Sequence, residues 1–119
     1  MSITIYHNPR CSKSRKTLEI IVESGINPTI IEYLATPPAA ETTLRLASLL
    51  GVPVADLLRR GEAEFKDATD LPDLADNEAL AGWIVAHPKV LERPIVVNEV
   101  SNKAVIGRPP ENVLEILGK

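Results

Sequence analysis

Cys11 is the only cysteine in 119 residues, and it stands where a strand-like run, Ile3-Thr4-Ile5-Tyr6, gives way to a helix that begins around Ser12. Unpaired backbone N–H groups at a helix start carry partial positive charge, so a sulfur held there is stabilised as the anion. Arg10, Lys13, Arg15 and Lys16 all lie within five residues of it, and no acid occurs before Glu19. An ordinary thiol, with a pKa near ~8.5, is about 3% thiolate at neutral pH, and lowering that pKa by about two units takes about 2.7 kcal/mol. A helix terminus supplies about 0.3–1 kcal/mol. The dipole alone falls short, so cations must act on the sulfur directly. A structural cysteine would be a small buried hydrophobe, and such residues avoid electropositive surroundings.

Spacing separates the kinds of thiol chemistry. A dithiol redox pair, Cys-x-x-Cys, needs its partner at position 14, which is Ser14, so no internal disulfide can form. A phosphatase-type Cys-x₅-Arg loop needs arginine at position 17, which is Thr17. A Cys-His hydrolase could draw on His7, but nothing in the sequence marks a third, orienting group. A monothiol site remains, Cys11-Ser12-Lys13-Ser14-Arg15. A two-electron reduction at one protein sulfur leaves it oxidised or in a mixed disulfide, so the second thiol must be a soluble partner.

Positioning this loop falls to the elements around it. Leu18, Ile21 and Val22 recur at helical spacing after Ser12, with Gly25 at the expected end, and Thr29-Ile30-Ile31-Glu32-Tyr33 follows as a strand. Strand, helix and strand form a βαβ unit with parallel strands, which places the thiol at the carboxyl end of the sheet, where open α/β sheets bind ligands. Thr36-Pro37-Pro38 reads as an N-cap and first turn opening a helix through Leu44, Ala47 and Leu50 to Gly51. A short helix is expected from Pro53 to Arg60, then an acidic surface connection over 62–73, then a helix over Asn77–Ala86 that stops at His87-Pro88. Ile95-Val96-Val97 and Ala104-Val105-Ile106 read as an antiparallel hairpin, and Pro110-Glu111 opens a last helix with Val113, Leu114, Ile116 and Leu117. The order is that of an α/β, thioredoxin-like fold. Its mixed four-stranded sheet is built from βαβ and ββα halves, in a core of about 1–34 and 90–119, with a helical insertion of about 36–88 in one domain.

Composition bounds the rest. The apolar fraction is 45% with only 3% aromatics, so the core is aliphatic. A net charge of −3 hides an asymmetry: the basic first 18 residues contrast with seven acids over 62–78. Nucleic acid is therefore not an expected partner. No apolar run approaches membrane-spanning length and no charged-then-apolar leader opens the chain, so a cytoplasmic protein with no membrane partner is expected. A lone cysteine agrees with that compartment.

Several motifs then stand in a recognisable order: Tyr6-His7-Asn8-Pro9-Arg10-Cys11-Ser12-Lys13-Ser14-Arg15, Tyr33-Leu34-Ala35-Thr36-Pro37-Pro38, Leu57-Leu58-Arg59, Glu92-Arg93-Pro94-Ile95-Val96-Val97 and Gly107-Arg108-Pro109-Pro110-Glu111. Together they strongly resemble the glutaredoxin-dependent arsenate reductase family across essentially the whole chain. The resemblance implies Cys11 as the catalytic nucleophile and Arg59, Arg93 and Arg108 as ligands of the substrate oxyanion. Planar, permanently charged guanidinium forks suit a tetrahedral oxyanion and leave little need for a metal. It also implies His7, Ser14 and Arg15 as tuners of the thiolate, and a cis peptide at Arg93-Pro94. Arg60 competes with Arg59, since adjacent helical residues diverge by about 100° and only one can face a given site. The implied reaction reduces arsenate to arsenite, with glutathione as co-substrate, glutaredoxin as partner and no tightly bound cofactor. The loop is Cys-Ser-Lys-Ser-Arg where arsenic-resistance members resemble Cys-Gly-Thr-Ser-Arg, and Arg10 and Lys13 make it more cationic.

Two other readings share parts of this pattern. A regulator resembling the Spx proteins, which contact RNA polymerase, shares the fold but often uses a Cys-x-x-Cys switch that Ser14 removes here. A monothiol glutaredoxin-like, deglutathionylating protein shares Cys-x-x-Ser spacing, but its cysteine loop and arginine motifs differ.

Overall fold

β1 (Ile3–His7) is buried at every position, the pattern of a strand packed on both faces rather than one. The computed structural model describes residues 2–92 and 94–117. Backbone contacts divide the chain into two compact units, one of Met1–Thr36 with Arg93–Lys119 and one of Pro37–Glu92.

The first unit is a mixed four-stranded sheet in the order β2-β1-β3-β4, with β2 at Thr29–Glu32, β3 at Ile95–Asn98 and β4 at Lys103–Ile106. β1 runs parallel to β2, in a register that pairs Thr4 with Thr29 and His7 with Glu32. β3 is antiparallel to both β1 and β4. The thioredoxin-like topology read from the order of elements is the one observed. Between β1 and β2, α1 (Ser12–Glu23) turns Ile21 into a cluster with Ile3, Ile5, Val96, Val113, Ile116 and Leu117.

Val22, expected on the same helical face, is instead 55% exposed. The last segment, Pro110–Ile116, is a 3₁₀ helix rather than an α-helix. Its tighter, three-residue period aligns Val113 with Ile116, both buried, and leaves Leu114 outside.

The second unit holds α2 (Ala40–Leu50), α3 (Ala63–Lys66) and α4 (Asn77–Ala86), with short 3₁₀ turns at Val54–Leu57 and Pro88–Val90. α2 ends as expected, with Gly51 in the left-handed region at φ 72°. It begins later than expected: Ala39, not Thr36, is the N-cap, with extended backbone at φ −64° and ψ 160°. α3 lies inside the acidic stretch, which is thus not wholly a connection. α4 starts under Asp76, whose carboxylate accepts from the Ala79 N–H at 3.1 Å.

The expected helix over Pro53–Arg60 is only the single 3₁₀ turn. Leu58 leaves it extended and forms an isolated antiparallel bridge with Leu91. Pairing with a distant segment overrides the local helical composition. The cis peptide expected at Arg93-Pro94 falls on Arg93, which lies outside the described residues, whereas Arg108-Pro109 is cis. Among the described residues no helix is long and apolar enough to cross a membrane.

Candidate active site

The loop between β1 and α1 is held by a dense set of short-range bonds. Cys11 is the N-cap of α1, with extended backbone (φ −93°, ψ 121°), and its carbonyl accepts from the Arg15 N–H at 3.0 Å. Its own N–H donates to the Asn8 carbonyl at 3.0 Å. Asn8 Oδ1 accepts from the Arg10 N–H at 3.0 Å, an Asx-type turn that fits Asn before Pro. The Asn8 N–H donates to Ser14 Oγ at 3.1 Å, and the same hydroxyl lies 2.6 Å from His7 Nδ1. His7, Asn8 and Ser14 are all buried. The polar atoms that shape the loop are thus shielded from water, where each bond is worth most.

Arg15, expected to tune the thiolate, donates from its guanidinium to the Pro9 carbonyl at 2.9 Å and so braces the outer side of the loop. Arg10 and Lys13 are exposed. The α1 start has no acidic residue in its first turn, so nothing there offsets its positive end.

One cation beside the sulfur comes from far along the chain. Arg108, just beyond β4, places Nη2 3.8 Å from Cys11 Sγ. Cys11 is partly exposed, so the sulfur is both reachable and facing a guanidinium. Burial pushes the His7 imidazole below its ordinary value; Glu32, its register partner on β2, opposes this, and Arg15 adds to it. An open cleft at the carboxyl ends of β1 and β2 is lined by His7, Asn8, Arg10, Glu32 and Leu34, in the position expected for ligand access.

Arg59 belongs to the second unit. It is not helical there: its N–H donates to the Val90 carbonyl at 2.6 Å, beside the Leu58–Leu91 bridge. The rivalry with Arg60, framed as two faces of one helix, therefore does not apply. Arg59 is held between carboxylates, its Nε 3.8 Å from Glu62 and its Nη1 3.5 Å from Glu92, whereas Arg60 is exposed. Arg93 lies outside the described residues. Among the described residues no cluster of three or more His, Cys, Asp or Glu is placed to hold a metal ion.

A profile of the ArsC family matches residues 6–116, from the end of β1 to the last 3₁₀ turn. The chain belongs to the ArsC family. An uncharacterized protein of Escherichia coli K12, YfgD, is 47% identical over 98% of this chain and 97% of its own length. An arsenate reductase of Haemophilus influenzae is 42% identical over 98% of this chain and 100% of its own length. Among solved structures, an arsenate reductase from Vibrio cholerae is similar with a TM-score of 0.86 at 44% identity, covering 98% of each chain. The thioredoxin-like fold of this ArsC chain is thus shared at close range.

Within the ArsC chain, the geometry adds residues to which sequence reasoning assigned no role. Asn8 joins three hydrogen bonds of the cysteine loop, and its position before Pro9 was the available signal. Gly107 is the second. A Cβ built on it would lie 2.5 Å from Thr17 Oγ1 and 2.8 Å from Pro94 Cγ. Only glycine lets the segment that leads from β4 to Arg108 come so near α1.

Proposed function

We propose that this chain is an arsenate reductase in which Cys11 is the nucleophile. The reading is carried by the Arg108 guanidinium, 3.8 Å from a partly exposed sulfur at the start of α1. A guanidinium in that place favours the thiolate before substrate arrives and then offers planar donors to an arsenate oxygen. Arg59, Arg93 and Arg108 are proposed as the oxyanion ligands, with His7, Ser14 and Arg15 setting the loop that presents the sulfur.

The reaction proceeds in three thiol steps. The Cys11 thiolate attacks arsenic of the bound arsenate, forming a sulfur–arsenic bond as hydroxide or water leaves. Glutathione then attacks; arsenic takes two electrons and departs as arsenite, and the sulfurs of Cys11 and glutathione are left joined as a mixed disulfide. A glutaredoxin thiol attacks the glutathione sulfur and returns Cys11 as thiolate. No tightly bound cofactor is required. The cytoplasm, kept reducing by glutathione, is the proposed compartment.

The test is oxidation of NADPH in the presence of arsenate, glutathione, glutaredoxin and glutathione reductase, with native chain and Cys11→Ser side by side. Arsenate-dependent turnover by the native chain alone is expected. Turnover that survives the substitution overturns the nucleophile, and no turnover by the native chain overturns the substrate.

A further inference from the structure

The cleft at the carboxyl ends of β1 and β2 lies wholly within the first unit, between the cysteine loop and the turn that follows β2. It offers about 410 Å³, inside the range of roughly 300–1,000 Å³ typical of small-molecule sites. Pro9, Leu34 and Ala35 supply apolar surface. Arg10 and Glu32 supply charges of opposite sign, both on exposed residues. Among the described residues neither of these two side chains is held in an ion pair.

The cleft adjoins the loop that presents the sulfur. Cys11 follows Arg10, and its N–H donates to the carbonyl of Asn8, which also lines the cleft. Arg108 comes to Cys11 from the other side, because it follows β4 and the strand order sets β3 and β4 across β1 from β2. Room for a second reactant thus lies away from the guanidinium that faces the sulfur.

Charge balance decides what kind of reactant fits. A doubly charged oxyanion is drawn by Arg10 but repelled by Glu32, and His7, whose imidazole is pushed below its ordinary value by burial, adds no fixed charge. A zwitterion gains from both groups, its carboxylate from the guanidinium fork and its ammonium from the carboxylate. Glutathione has this form: its γ-glutamyl end carries an ammonium and a carboxylate, its glycine a second carboxylate, and the thiol lies between them.

We propose that this cleft is the glutathione subsite, with Arg10 holding a glutathione carboxylate and Glu32 holding its ammonium. The inference rests on the reading of Cys11 as a nucleophile that glutathione regenerates, and it adds where that thiol is seated. Both contacts face water, so each contributes a few-fold in recognition.

The experiment follows the reduced full chain reacting with glutathione disulfide at neutral pH and constant ionic strength, and needs no arsenate. The Cys11 thiolate attacks one sulfur of the disulfide, a bond between Cys11 and glutathione forms, and the other glutathione leaves as thiolate. Mass spectrometry measures the added glutathionyl group. Hydroxyethyl disulfide, which carries no charge, reports the intrinsic reactivity of the sulfur, and the ratio of the two rates reports recognition. Arg10→Ala and Glu32→Gln should each lower that ratio about three- to fivefold, and Glu32→Asp should keep part of it. Lys13→Ala removes an exposed cation of the same loop that does not line the cleft, and should leave the ratio within about 1.5-fold of wild type.

Glu32→Gln decides between a seat and general attraction, because glutathione disulfide is a net anion: relief of repulsion raises its rate, whereas loss of an ammonium contact lowers it. A ratio unchanged or raised in Glu32→Gln, or lowered as much in Lys13→Ala as in Arg10→Ala, overturns the inference and leaves the reductase reading standing. Absence of arsenate turnover while the expected ratios hold overturns the substrate and leaves the glutathione cleft standing.

Discussion

Arg108 Nη2 lies 3.8 Å from Cys11 Sγ, across a separation of 97 positions in the chain. The sheet order makes this contact: β4 is joined to β1 through β3, which brings the segment after Ile106 to the end where α1 begins. The four cations adjacent to Cys11 in sequence made the loop look self-sufficient, but of these Arg15 is spent on the Pro9 carbonyl.

Arg108→Ala should therefore slow alkylation of Cys11 at pH 7 about tenfold, the equivalent of about 1.4 kcal/mol for one charge-assisted contact to sulfur. Arg108→Lys should recover part of the rate, because an ammonium keeps the charge but not the fork. Arg10→Ala, at an exposed side chain, should change the rate less than about twofold. Rates of iodoacetamide labelling measured across pH check all three, and a larger effect at Arg10 than at Arg108 would reverse the assignment.

Ser14 is fully buried and its oxygen serves both the Asn8 N–H and His7 Nδ1. Ser14→Ala leaves a buried backbone donor unpaired, and the expected loss is about 1–3 kcal/mol of stability. Urea unfolding with an unchanged m-value and a lowered midpoint is the expected signature. Labelling of Cys11 should also become less selective, since the loop that presents it loses its internal anchor.

The strands and α1 were legible because their signals are local. Ile3–Tyr6 and Ile95–Val97 are short apolar runs bounded by turn formers, and α1 carries a helical apolar repeat that stops at Gly25. Cys11 was legible for the same reason, its cations being neighbours in the chain. Pro53–Arg60 was misread because Val54-Ala55-Asp56-Leu57-Leu58 suits a helix, and nothing local reveals that Leu58 pairs with Leu91. The same blindness hid Glu92 opposite Arg59 and Gly107 against Thr17: both are consequences of register, not of composition. Thr36 misled as an N-cap because the proline pair after it also suits an extended approach, and α2 starts only beyond it.

His7 should make the fold sensitive to acid. Its imidazole, pushed down chiefly by burial, resists a proton that the unfolded chain accepts readily below about pH 6.5. The unfolded state then binds more protons than the folded one. Stability is accordingly intact above about pH 6.5 and falls as the pH drops towards the lowered folded value, then levels. Urea midpoints measured from pH 7.5 to 5 in wild type and His7→Gln check the sign: the wild-type curve should fall more steeply, and a wild-type curve that rises on acidification contradicts the buried neutral imidazole.

Gly107 links the packing of α1 to the placement of Arg108, and its substitution should disturb both. A methyl at this position would meet Thr17 Oγ1 at 2.5 Å and Pro94 Cγ at 2.8 Å. Thr17 cannot readily give way, being fully buried with its hydroxyl donating to the Lys13 carbonyl at 2.8 Å. Gly107→Ala should cost about 1–3 kcal/mol in stability, in the range of overpacked interiors. Because Arg108 is the next residue, displacement of the strand end should also lengthen its reach to Cys11, slowing alkylation at pH 7 toward the rate of Arg108→Ala. Thr17→Ala removes one of the two obstacles, so the double variant should regain part of both losses. Stability restored by Thr17→Ala without any recovery of the labelling rate would show that Arg108 is positioned by something other than this close approach.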